Sequence, residues 1–197
     1  MRLLFTALFY FISGCCFGQN LLSDTIVRLN NYTVHYSQTF LQPLEVWYKV
    51  KCPDNETFTK DCKSALSKWN KHEGIITTLD HHYSSDLHHH GHMAPAESFD
   101  CSCDDIKSTM NFLNCAIQNG ELNKSVWRTL ENRERTLAKE KDVFVHIKVE
   151  FNDNNEVDGA RIPSGFFKTL IIDGVSETYY FQNNSPKTKS LSDYKLK

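Results

Sequence analysis

An α+β fold, with a mixed and largely antiparallel sheet and flanking helices, is what the sequence predicts. Three observations carry the prediction. Val143, Val145, Ile147, Val149 and Phe151 alternate with other residues, the period of a strand with one buried face. Residues 124–141 carry instead the apolar stripe Val126, Trp127, Leu130 and Leu137 among charges, the pattern of an amphipathic helix. Short links join such stretches, and strands and helices do not alternate as a doubly wound sheet requires. The length of 197 residues suits one domain, and aromatic residues at 12%, spread along most of the chain, argue against disorder.

Each element follows in order. Arg2 precedes an uncharged apolar run, Leu3 to Gly18, shorter than the roughly 20 residues of a membrane span. It reads as a secretory signal over residues 1–18, cleaved near Gly18 or Gln19, and directs the chain to a secreted or periplasmic location. Ile12-Ser13-Gly14-Cys15 also resembles a lipoprotein signal, which would place a lipid anchor on Cys15. Residues 19–44 are read as an N-terminal segment, 45–185 as the main domain and 186–197 as a polar tail. Glu45 to Val50 is β-prone and predicts a strand. Residues 52–63 are polar and turn-rich, an excursion flanked by two cysteines. Residues 78–98 are His-rich and broken by Gly91 and Pro95, so an irregular stretch is expected. Asn111 to Cys115 suits a short buried strand. After the 124–141 helix and the Val143–Phe151 strand comes a polar turn, Asp153 to Asp158. It opens like a calcium loop, but Val157, Asp158 and Ser164 occupy positions where that loop needs an oxygen donor, Gly and Glu. Phe166–Ile172 and Thr178–Gln182 predict two more strands, and the tail from Ser185 is expected to be loose.

Cysteine usage agrees with export. Beyond Cys15 and Cys16 in the signal there remain Cys52, Cys62, Cys101, Cys103 and Cys115, an odd set allowing two bridges and one free thiol. Disulfides are favoured over a thiolate metal site, because Cys101-x-Cys103 is too tight for zinc spacing. The expected pairs are Cys52 with Cys62, and Cys115 with Cys101 or Cys103. Lys and Arg (22) nearly balance Asp and Glu (24), so the net charge of −2 gives no global basic field. A polyanionic partner would have to be held by a local patch or a metal.

Six of nine histidines fall between His81 and His92. Such a cluster could line a solvated loop or capture zinc or copper. His-Glu-x-x-His is absent, as are Gly-x-Ser-x-Gly, a phosphate loop and a dinucleotide fingerprint. Gly91-His92-Met93-Ala94-Pro95-Ala96 stands apart from a plain histidine tract. Downstream run Asn114, Gln118, Leu122-Asn123, Trp127, Leu130-Glu131 and Arg135, then Ile162-Pro163-Ser164-Gly165-Phe166-Phe167-Lys168 and Tyr179-Tyr180-Phe181-Gln182-Asn183-Asn184. In this order they resemble the signature of the DNA/RNA non-specific endonucleases, the ββα-metal or His-Me finger nucleases, over roughly residues 45–185.

The resemblance implies a ββα-metal finger active site and a secreted sugar-non-specific endonuclease that uses Mg²⁺ (or Mn²⁺) and leaves 5′-phosphate ends. His92 is then the general base. Asn123 holds the metal, Glu131 accepts hydrogen bonds from its water, Arg135 reaches the phosphate, and Asn114 orients His92 or the phosphate. Lys49 stands where an arginine of the family touches phosphate. The residue types suit the chemistry: a neutral imidazole can take a proton from water near pH 7, so activity should rise from about pH 6 to 8. The implied partners are DNA and RNA without base specificity, together with a second copy of the chain, since many relatives dimerise. The chain departs from the family at His89 and His90, which replace the usual Asp-Arg. That leaves an alternative, a secreted His-rich metal-binding protein or a catalytically degenerate relative on the same scaffold.

Overall fold

The computed structural model describes residues 23–53, 62 and 68–197. The expected signal, with Cys15, lies outside the described residues, as does most of the 52–63 excursion. The main sheet is built from β1 (Asp24–Arg28), β2 (Tyr32–Ser37) and β3 (Gln42–Lys49), then β6 (Val143–Glu150), β9 (Gly165–Ile172) and β10 (Val175–Gln182). These six strands lie in the order β1-β2-β3-β6-β9-β10, and every neighbouring pair is antiparallel. β1 and β2 fall within residues 19–44, so the segment ahead of the predicted strands supplies one edge of the sheet. Two small ribbons stand apart: β4 (His88–His92) with β5 (Cys115–Asn119), and β7 (Glu156–Val157) with β8 (Ala160–Arg161).

Alternation decides which face of the sheet is buried. Val143, Val145, Ile147 and Val149 of β6 join Val34, Val46, Tyr48, Phe166 and Leu170 on one face. Against that face pack Val126, Trp127 and Leu130 from the helical segment. Each large side chain withdrawn from water contributes about 1.5–3 kcal/mol, so this layer dominates the stability. The β9–β10 hairpin closes through Asp173 (φ 49°) and Gly174 (φ 84°), two left-handed residues whose twist matches the flanking strands. Helix α1 (Cys103–Thr109) is capped by Ser102, whose hydroxyl accepts from the Asp105 amide. The second helical segment begins at Gly120–Leu122, continues in a wider π-type turn, Asn123–Trp127, and ends in α2 (Arg128–Ala138). Ser125 (φ −113°, ψ −106°) puts a kink in its path.

Several local expectations are corrected. The histidine stretch is not irregular throughout, since His88–His92 gains a ladder with β5. Asn111–Cys115 is not a strand. The Asn111 side chain accepts from Leu113 N at 2.9 Å and starts a 3₁₀ turn, Phe112–Asn114, which postpones the strand to Cys115. The tail is docked rather than loose: Tyr194 stacks on Phe181 at 4.9 Å, and Leu196 N donates to Thr178 O at 2.8 Å. It thereby covers part of the β10 edge. The disulfides also differ. Cys52 pairs with Cys101 and Cys62 with Cys103, with Cα separations of 5.4 and 5.0 Å, and Cys115 is free and buried. Proximity in sequence misled here, because Cys52 and Cys62 are each bridged to the Cys101–Cys103 stretch at the start of α1 and not to each other.

Candidate active site

The β4–β5 ribbon presents His92. Opposite Cys115 in register, it is the last residue of β4, and its ring lies 4.5 Å from that of Trp69. Its Nε2 meets Met110 Sδ at 3.3 Å. A proton on Nε2 would be donated to the thioether, leaving Nδ1 as the basic nitrogen. Burial, and secondarily the neighbouring His90, lowers the His92 pKa to about 4. Close packing holds the ribbon in place. A Cβ on Gly91 would lie 2.6 Å from Gln118 Cβ, so only glycine admits that neighbour.

Asn114 locks the chain just after His92. Its Oδ1 accepts from Ala94 N at 2.8 Å, while Nδ2 donates to Ala94 O at 2.8 Å and to Thr109 O at 3.0 Å. Its own carbonyl accepts from Met93 N at 2.9 Å. Asn114 is fully buried and acts on the backbone that carries His92. On the other side, Asn119 caps the helical segment by accepting from Glu121 N and Leu122 N. Asn183 from the end of β10 accepts from Asn119 N and donates to Ile117 O and Pro163 O, tying ribbon to sheet.

His92, Asn123 and Glu131 come together on one cavity of about 500 Å³, whose wall also includes Trp69, His90, Pro95, Ala96, Glu97, Met110, Lys124 and Arg128. Asn123 is half-buried, and among the described residues its amide has no side-chain partner. Glu131 is buried, and desolvation raises its carboxyl to about 7 although Lys168 and Arg135 favour its ionised form. Beneath it runs a lattice of buried charge. Lys168 Nζ lies 2.8 Å from Glu134 Oε1, 3.8 Å from Glu131 Oε1 and 4.3 Å from the centre of the Trp127 ring. Tyr48 donates to Glu134 Oε2 at 2.7 Å.

Other candidate residues lie elsewhere. Arg135 does not line the cavity; it is buried, pairs with Glu97 at 2.6 Å and donates to Asn132. Lys49 lies in a separate groove beside Trp47 and Phe144, on the outer face of the sheet, and pairs with Asp142 at 2.5 Å. Trp127 is core, wedged between Phe166 and Phe181. The clustered histidines are largely spent on stacking: His90 lies between Tyr83 (4.0 Å) and Trp69 (5.2 Å), and His81 lies against His82. Among the described residues no three His, Cys, Asp or Glu side chains form a metal-holding group.

The family model described as DNA/RNA non-specific endonuclease matches residues 17–197. The chain belongs to that family. No curated protein matches it. Among solved structures, a chain of the EndoG/EndoGI complex superposes with a TM-score of 0.74. At 20% identity it covers 89% of this chain and 81% of its own length, a likeness of fold. The endonuclease is thus an α+β enzyme that hydrolyses phosphodiester bonds of nucleic acid. Sequence reasoning missed four residues of its cavity wall. Lys124 and Arg128, four apart on one helical segment, could have been found by that spacing. Trp69 and Met110 reach the cavity by long-range folding and left no local signal.

Proposed function

We propose that the endonuclease is exported and cleaves DNA and RNA with Mg²⁺ (or Mn²⁺) held by Asn123 and with His92 as general base. One observation carries this reading: His92, Asn123 and Glu131, distant in sequence, line the same cavity. The donor set suits such an ion. An amide oxygen without a protein partner and a nearby carboxylate are hard donors, and five waters need only about 150 Å³ of the cavity. When bound, the ion would neutralise charge on the phosphate and the departing oxygen.

The rest is done by the chain. His92 takes a proton from the attacking water; the water oxygen bonds to phosphorus as the bond to the 3′ oxygen breaks, and the departing 3′ oxygen takes a proton from a solvent water. The Met110 contact keeps Nδ1 available for this. Glu131 accepts hydrogen bonds from water at the cavity floor, and Asn114 fixes the backbone behind His92. Lys124 and Arg128 at the rim attract phosphate. Arg135 acts at one remove, by holding Glu97 in the wall. Two disulfides accord with an oxidising compartment, and among the described residues no helix is long and apolar enough to cross a membrane.

Plasmid nicking with and without EDTA tests the reading. His92→Ala should lower the rate by about 10²–10⁴-fold with binding nearly kept. Asn123→Ala should both slow the reaction and raise the Mg²⁺ concentration it needs. Full activity in EDTA, or in His92→Ala, would overturn the assignment.

A further inference from the structure

The lining of the cavity is mixed in chemistry. Asn123, Lys124, Arg128 and Glu131 of the helical segment make part of the lining polar and cationic at its rim, whereas the remainder combines His90, His92 and Glu97 with the apolar surface of Trp69, Pro95, Ala96 and Met110. A duplex read only through its phosphates has no use for that apolar surface, because its bases are already stacked and paired.

Trp69 is held rigidly. The backbone of the next residue is clamped, with Asn70 N donating to Met110 O at 2.9 Å and Asn70 O accepting from Phe112 N at 3.0 Å. Asn70 Nδ2 donates to the same Met110 carbonyl at 3.2 Å. The indole lies nearly parallel to His90, with 15° between the planes, and His90 continues the pile onto Tyr83. Trp69 is therefore part of an ordered aromatic cluster, in which Phe112 also stacks on it at 5.9 Å. It is half-buried, and its remaining surface opens on the cavity beside His92. A ring already immobilised loses little freedom when a ligand stacks on it.

We propose that Trp69 is a nucleobase-stacking subsite, and that it makes the endonuclease prefer single-stranded DNA or RNA over duplex. The inference rests on the reading that cleavage occurs at His92. A nucleotide with its phosphate there carries its base within reach of the apolar surface. Only an unpaired nucleotide can turn a free face to the indole. Every base has such a face, so the subsite adds strand preference without sequence preference.

The test compares kcat/KM on a single-stranded DNA oligonucleotide, its RNA counterpart and the DNA duplex, for the parent, Trp69→Phe and Trp69→Leu. The parent should favour the single strands. Trp69→Leu should lose roughly ten- to a hundredfold more on the single strands than on duplex, the cost of one base stack, and Trp69→Phe should keep most of the activity. Equal losses on all three substrates, or no loss, would overturn the proposal. A second measurement needs no turnover: single-stranded oligonucleotide titrated into the EDTA-blocked parent should quench tryptophan fluorescence, and Trp69→Phe should abolish the quench. Quench that is absent in the parent or persists in Trp69→Phe counts against stacking whether or not His92 is the base. A parent that cuts nothing but shows the Trp69-dependent quench would fail the catalytic reading alone.

Discussion

Burial drives the acidities of His92 and Glu131 in opposite directions within one cavity. Desolvation penalises whichever form is charged, so the imidazole falls to about 4 and the carboxyl rises to about 7. On these acidities His92 is neutral well below pH 6, so the rise of activity from about pH 6 to 8, expected on sequence from His92, should follow ionisation of Glu131 instead. In Glu131→Gln the residual kcat/KM should lose its inflection near pH 7 and fall only as the pH approaches about 4. A variant that kept the inflection near 7 would return the limb to the histidine. The sign for stability is also fixed. The unfolded chain takes up a proton on His92 near 6.5 while the folded chain refuses it until about 4. This group's contribution is complete above 6.5 and is lost as the pH falls toward 4.

At the scale of elements, the ribbon that carries His92 depends on close backbone approach. Gly91→Ala would drive a methyl against Gln118 Cβ at 2.6 Å and Ala116 O at 3.1 Å, both fixed by the ladder. Overpacking of this kind costs about 1–3 kcal/mol, which urea unfolding should detect together with lost activity. Gly120→Ala meets only the tip of His89, which can rotate aside, and should cost less. If the two variants unfolded at the same urea concentration, the rigidity assigned to the ribbon would be wrong. Much of the main sheet was legible because Val143–Val149 alternates cleanly, and the helix because its stripe faces that sheet. The ribbon was not. His88–His92 has no apolar alternation; its β4 face is made of imidazoles that stack on Tyr83, just ahead of the strand, and on Trp69, which comes from a segment more distant in sequence. His92, Asn123 and Glu131 were legible through their joint spacing. The burial of Arg135 was not, because it depends on Glu97 arriving from the loop after β4.

For the whole molecule, the two bridges close spans of 49 and 41 residues and tie Cys52 and Cys62 to Cys101 and Cys103 at the start of α1. Closing a span of that size stabilises by about 2–4 kcal/mol. Removing one bridge, as Cys62→Ser with Cys103→Ser, should lower the melting temperature by roughly 5–15 °C. Calorimetry on the variant checks this, and a shift within error would mean that the fold does not need the staple.

Cys115 adds a constraint on how those bridges form. Its thiol is buried, and burial holds it protonated and unreactive. That shelter exists only after β5 has met β4. Before then the chain exposes a fifth competitor for oxidation, beside Cys52, Cys62, Cys101 and Cys103. Afterwards four thiols remain among the described residues, with three ways to pair. Order of events therefore becomes part of the folding problem: hairpin closure ahead of oxidation narrows the choice, whereas oxidation ahead of the hairpin can leave Cys115 bridged to a wrong partner and β5 unable to pair with the strand that ends in His92.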